Sequence, residues 1–175
     1  AALGGPGWRA YLDEASAVDY VLHAELFKNQ DAFYSSTYLH QRKDGKLAMG
    51  PVWDFDLSIG NTVEPTISAP AGWLLTDRPW AGALLADPDF RATLAARWRT
   101  LRTGGLIESL QRTIDRHART LRPPALRNFA RWQTLDAPVF RNQPVHGSHS
   151  AAVAALKDWL ARRAAWLDEA LAQDA

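Results

Sequence analysis

Gly50-Pro51-Val52-Trp53-Asp54-Phe55-Asp56-Leu57-Ser58-Ile59-Gly60-Asn61 sets two carboxylates two residues apart inside an otherwise apolar run. Burying one isolated carboxylate costs several kcal/mol, and a like-charged neighbour raises that cost. Such a pair is held by a cation, by strong donors, or at the surface. Pro51 and Gly60 bracket the run, so it is short and not helical. In an extended segment, residues i and i+2 share a face. Asp54 and Asp56 then converge on one ligand while Phe55 and Leu57 anchor the other side. Hard cations such as Mg²⁺ take one or two carboxylates and complete their shell with water or phosphate. The plainer alternative is a loop in which Asp54 caps backbone N–H groups or pairs with an arginine.

Upstream, Leu47-Ala48-Met49 reads as a strand running into the acidic stretch, and Ser36-Thr37-Tyr38-Leu39-His40 as its partner. Between them, Arg42-Lys43-Asp44-Gly45-Lys46 is a turn, because Asp-Gly tolerates positive φ. The hairpin brings Asp31 and Asp54 to the same end, just outside its open mouth. Before it, a helix spans about Ser16 to Lys28, with Ser16 as cap and Asp19 as its capping-box partner. Val18, Val21, Leu22 and Leu26 form its apolar face.

Downstream, residues 61–79 are rich in Pro, Thr, Ser and Gly and read as a long loop. Trp80 to Ala86 forms a short helix. Asp87-Pro88 starts another, which stops at Gly104-Gly105. A further helix spans about Leu106 to Leu121 and stops before Pro123-Pro124, where a separate short one runs to Trp132. Residues 134–149 are loop. The last helix, about Ser150 to Ala172, places Val153, Leu156, Leu160, Leu167 and Leu171 at helical spacing.

At 175 residues the chain supports one domain with a real core. With 47% apolar and 22% charged residues it has a globular balance, and eight tryptophans predict an aromatic core. There is no cysteine, which excludes disulfides, thiolate zinc and cysteine nucleophiles. No apolar run reaches the ~18 residues of a membrane helix. Residues 1–7 read as a linker or cut end, without a signal peptide or initiator methionine. Net charge is +1 but uneven: residues 1–90 carry 6 basic and 12 acidic residues, residues 91–175 carry 14 and 7. An acidic half suits a cation site and a basic half suits anions; the plainer account, preferred here, is that the halves attract and neutralise one another. The basic residues are spread over several helices, so no nucleic-acid partner is indicated.

Other chemistry is thin. Asp31 lies in a polar loop, as a general base or as a turn aspartate. Ser36 is a metal ligand or the start of a strand. His23 reads as a packed or surface histidine. His40, His117, His146 and His149 lack partners at zinc spacing. No glycine-rich phosphate loop and no Gly-x-Ser-x-Gly elbow is present. Trp73, Trp80, Trp98 and Trp132 are read as core rather than sugar platforms.

The order helix, Asn29-x-Asp31, hairpin with Tyr38-Leu39, Gly50-Pro51-Val52-Trp53-Asp54-Phe55-Asp56, Gly60-Asn61 resembles the CotH (spore coat protein H) kinase-like family. Leu156-Lys157-x-Trp159-Leu160-x-x-Arg163-x-x-Trp166-Leu167 resembles that family's closing helix. The likeness spans nearly the whole chain and corresponds to the later part of the family domain. It implies an α+β, mostly α fold: the helical C-terminal lobe of an atypical protein-kinase-like domain with one small β-hairpin. By the phosphoryl-transfer template it implies Asp31 in the catalytic role and Ser36 at the position of a metal-holding asparagine. Asp54 becomes the chief ligand of the metal bridging the phosphates, Asp56 a supporting ligand or an orienter, and Ser36 and Asp54 together the cofactor-binding residues. The implied cofactors are ATP and Mg²⁺ or Mn²⁺, and the implied partners a protein substrate and the chain's own N-terminal lobe. Nothing here resembles that lobe's glycine-rich loop, lysine or glutamate. The expectation is a single domain over 1–175, part of a kinase acting on protein serine or threonine, inactive alone. Alternatives are a non-catalytic coat or surface scaffold, or a metal-dependent phosphohydrolase. The family's habits and the missing cysteine lean toward an exported or cell-surface parent.

Overall fold

Helix α1 (Glu14–Phe27) is the hub of the chain. Ala17, Val18, Tyr20, Val21, Leu22, Ala24, Glu25 and Leu26 are buried, more than one face of a helix can supply. It is enclosed because β2, α4 and α6 all pack on it. The computed structural model describes residues 6–139 and 144–172. The expected capping box is corrected. Asp13 caps the helix, accepting from Ser16 N at 2.7 Å, and Ser16 Oγ instead accepts from Met49 N on the hairpin. Asp19 has turned outward to pair with Arg97 at 2.8 Å.

The hairpin follows the sequence closely. β1 (Thr37–Gln41) and β2 (Leu47–Val52) pair antiparallel, with Leu39 opposite Met49 and Thr37 opposite Val52. Asp44 adopts φ 61° in the Asp-Gly turn. The segment before α1 adds an edge contact, since Leu47 N donates to Tyr11 O and Asp13 N to Leu47 O. The expected linker at 1–7 lies mostly outside the described residues; Pro6 to Ala10 form a 3-10 helix. Within it Trp8 is buried, and its indole donates to Asp87.

Past the hairpin, the stretch 61–79 is not a structureless loop. It contains a short helix, α2 (Pro65–Ser68), and reaches α3 (Pro79–Leu85). α4 (Pro88–Thr103) starts at Asp87 as read from Asp-Pro, with the carboxylate accepting from Asp89 N and Phe90 N. α5 runs from Leu106 to Arg131 without the expected break, carrying Pro123 and Pro124 inside it. Each proline removes one helical hydrogen bond, to the carbonyl of Arg119 or Thr120. Both residues are exposed, so water can take over those carbonyls. α6 (His149–Ala172) closes the chain.

The architecture is mostly helical α+β: six α-helices and one two-stranded sheet among the described residues. One apolar core joins α1, α3, α4 and α6, with Trp98, Phe90, Leu94, Leu160 and Leu167 fully buried. Asp168 ties α6 to α4, accepting from Trp98 Nε1 at 2.8 Å and from Arg102 at 2.9 Å. Of the four tryptophans read as core, Trp132 is exposed, at the far end of α5. No described helix is long and apolar enough to cross a membrane.

Candidate functional site

The acidic stretch leaves the sheet at Val52, and from there it is not extended. Asp54 adopts φ 62°, the left-handed region that costs a non-glycine residue about 1–2 kcal/mol. The i, i+2 rule therefore does not place Asp54 and Asp56. The alternation of burial survives all the same: Asp54 and Asp56 are exposed, Phe55 is half-buried and Leu57 buried.

Two seams hold this segment on the end of α1. Ile59 N donates to Phe27 O at 2.7 Å, and Gln30 N donates to Leu57 O at 3.2 Å. Beside them, Asn29 Nδ2 reaches Trp53 O at 3.4 Å while Asn29 Oδ1 accepts from Asp31 N at 3.0 Å. Asn29 thus links the turn that carries Asp31 to the strand end that carries Asp54. Lys28 makes that turn possible. It ends α1 at φ 45°, and its backbone N–H returns to Ala24 and Glu25.

Asp31 opens a tight turn in which its carbonyl accepts from Tyr34, Ser35 and Ser36 N–H groups. The turn presents Ser36 to the acidic segment, and Ser36 Oγ donates to Asp54 Oδ2 at 3.2 Å. Ser36 and Asp54 are therefore brought together. The Asp31 carboxylate, half-buried, has no hydrogen-bond or ion-pair partner among the described residues. Asp56 Oδ1 accepts from Leu57 N, and its carbonyl from Asn61 Nδ2. The structure does not assemble Asp31, Asp54 and Asp56 into one cage: among the described residues no group of three His, Asp or Glu is placed to hold a metal ion.

Beneath the acids lies a set of rings. Phe55 meets His23 at 4.7 Å and Phe27 at 6.1 Å, both edge-on. His23 Nδ1 is buried without a partner among the described residues, and burial pushes the imidazole below its ordinary value. Above them, the exposed Tyr38 and Trp53 meet edge-on across the hairpin mouth, centroids 6.5 Å apart.

The segment after the acids is held by a buried ionic cluster that no spacing in the sequence announced. Arg163 on α6 pairs with Glu25 on α1 at 2.7 Å, both fully buried. Arg163 also donates to the carbonyls of Glu25, Pro70 and Gly72. Glu25 accepts from Leu74 N and Leu75 N. Lys28 Nζ donates to the carbonyls of Thr66, Ala69 and Ala71 at 2.6–2.9 Å. Burial pushes Glu25 up against the pull of Arg163. It pushes Arg163 down to about 10 and, helped by the Arg163 charge, Lys28 down to about 8. The signal that could have found this cluster is three charged residues at positions where α1 and α6 are otherwise apolar. Between this segment and α6 opens a cavity of about 940 Å³, with Asp56 and Asn61 at its edge, Trp159 and Leu156 in its wall, and His146 and His149 on the far rim.

A mostly helical domain with an acid-bearing turn at the mouth of one hairpin is the class of structure in hand. Residues 7–167 match the CotH kinase protein family, nearly the whole chain, and the chain belongs to that family. No curated protein matches it, and no solved structure does.

Proposed function

We propose that this chain is the C-terminal lobe of an atypical, ATP-dependent kinase that phosphorylates a serine or threonine hydroxyl of a protein. Membership of the CotH kinase family supports a kinase-like function. The observation that carries the residue roles is the Ser36–Asp54 contact at 3.2 Å, beside a turn whose Asp31 carboxylate is uncommitted.

The donor set suits a hard divalent cation, Mg²⁺ or Mn²⁺. Asp54, Asp56 and Ser36 offer only oxygen, and the two carboxylates are exposed. Mg²⁺ is commonly held by one or two carboxylates and completes its shell with water and phosphate oxygens, and Asp54 with Asp56 in support would suffice for that mode. When bound, the cation neutralises charge developing on the transferred phosphoryl group. Asp54 would hold it, Ser36 would orient or complete the Asp54 ligation, and Asp56 would support. Asp31 would accept the proton of the acceptor hydroxyl. The oxygen of that hydroxyl bonds to the γ-phosphorus, the bond to the β-phosphate oxygen breaks, and ADP leaves. Without a lysine or a glycine-rich loop for the phosphates, the 175-residue chain alone is expected to be inactive; the N-terminal lobe would supply both.

The test extends the chain upstream to include that lobe and measures transfer of labelled γ-phosphate to a serine protein. Asp31→Ala and Asp54→Ala should each reduce labelling at least a hundredfold. Equal labelling by both variants and parent would remove the assigned roles. No labelling by the extended parent with any divalent metal would favour the scaffold alternative.

A further inference from the structure

We infer that His23 is a positioning residue for the acidic site, acting through Phe55. The inference rests on the phosphotransfer reading only for what the site does, not for how it is held.

Phe55 is the residue between Asp54 and Asp56, so wherever its ring seats, both carboxylates follow. That ring seats against α1, between His23 and Phe27. His23 and Phe27 also touch each other edge-on at 4.7 Å. The three rings form one wedge, and the wedge lies under the one backbone position of the segment that is both strained and acidic. Asp54 at φ 62° is not self-stabilised; a left-handed aspartate persists when its surroundings over-determine it. The seam from Ile59 N to Phe27 O fixes the downstream side of the segment, and β2 fixes the upstream side. The wedge fixes what lies between.

What His23 contributes to the wedge is its ring, which a phenylalanine can also supply. Its Nδ1 is buried with no partner among the described residues, whereas a phenylalanine, as at position 27, would bring no such atom. The side chain meets Phe55 nearly perpendicular, at an interplanar angle of 83°. Outer groups bonded to the ligands are worth about 10–100-fold in metal affinity, and a support one residue removed from them is placed at the low end of that range.

The experiment compares the 175-residue chain with His23→Ala and His23→Phe by two readouts. The first is amide hydrogen exchange. His23→Ala should speed exchange about tenfold at Leu57 and Ile59 while the amides of Leu94 and Leu167 in the core keep their rates, and His23→Phe should restore the parent pattern. A uniform rise at all four sites in His23→Ala would mean plain loss of stability and overturn the inference, as would unchanged exchange at Leu57 and Ile59. The second is Mn²⁺ binding followed by quenching of Trp53, with Trp53→Phe as the blank. His23→Ala should bind about tenfold more weakly and His23→Phe within about twofold of the parent. Binding by His23→Ala equal to a metal-binding parent would overturn the inference. A parent that binds no Mn²⁺, matched by Asp54→Ala, would remove the metal-ligand role of Asp54 in this chain, and the exchange result would still decide the role of His23.

Discussion

Two residues concentrate the local physics of the site. Asp54 is acidic and left-handed at once. Asparagine tolerates that backbone as well as aspartate does, so Asp54→Asn should leave stability within about 0.5 kcal/mol of the parent by urea unfolding. The same substitution removes the charge and should abolish Mn²⁺ binding, a split that separates ligand chemistry from folding. His23 carries a pH signature. Burial holds its imidazole below the ordinary histidine value of about 6.5, so the folded state binds fewer protons than the unfolded chain at acid pH. The stability it permits is complete above that value and is lost as pH falls through the lower, folded-state value. The urea midpoint of the parent should therefore drop on acidification below about 6.5, and His23→Leu should flatten that part of the profile. Of the acids, Asp31 and Asp54 were legible as candidates because carboxylates next to a hairpin mouth stand out in a polar-apolar pattern. The left-handed turn of Asp54 was not legible, because it belongs to a segment whose course is set by contacts of Phe55 and Ile59 with α1.

At the scale of elements, α1 and α6 are joined through charge as well as apolar packing. Arg163 satisfies one carboxylate and three carbonyls from a position with no exposure. Arg163→Ala leaves Glu25 charged, buried and unpaired, and should cost about 3–5 kcal/mol in urea unfolding. Arg163→Lys should recover little of it, since one ammonium cannot reproduce the planar fork. The same loss should free residues 66–75, and proteolysis should cut there first. The helices α4 and α6 and the hairpin were readable from caps, turns and apolar spacing, which are local signals. α5 was not readable past Pro123, because the cost of an internal proline depends on whether water reaches the orphaned carbonyls. The 61–79 stretch looked unstructured because its order comes from Glu25, Lys28 and Arg163, two of them on one helix and its cap, the third nearly a hundred positions away.

Across the whole molecule, the chain folds around one shared core. α1, α3, α4 and α6 all contribute to it, and the ion pairs Arg97–Asp19 and Arg163–Glu25 join the acidic and basic halves of the sequence. Unfolding should therefore be a single transition, with calorimetric and van't Hoff enthalpies in agreement. Two resolved transitions would show that the acidic and basic halves fold as separate units. By itself the sequence determined the hairpin, most helix starts and stops, the family and the acidic stretch, because caps, turn residues and apolar periods act over a few residues. Only the tertiary structure decided how Asp54 is turned, that Ser36 meets it, that His23 and Phe27 seat Phe55, and that Lys28 and Arg163 order the segment after the acids. Those outcomes depend on which distant groups share a buried volume, and burial is a property of the assembled chain rather than of any stretch of it.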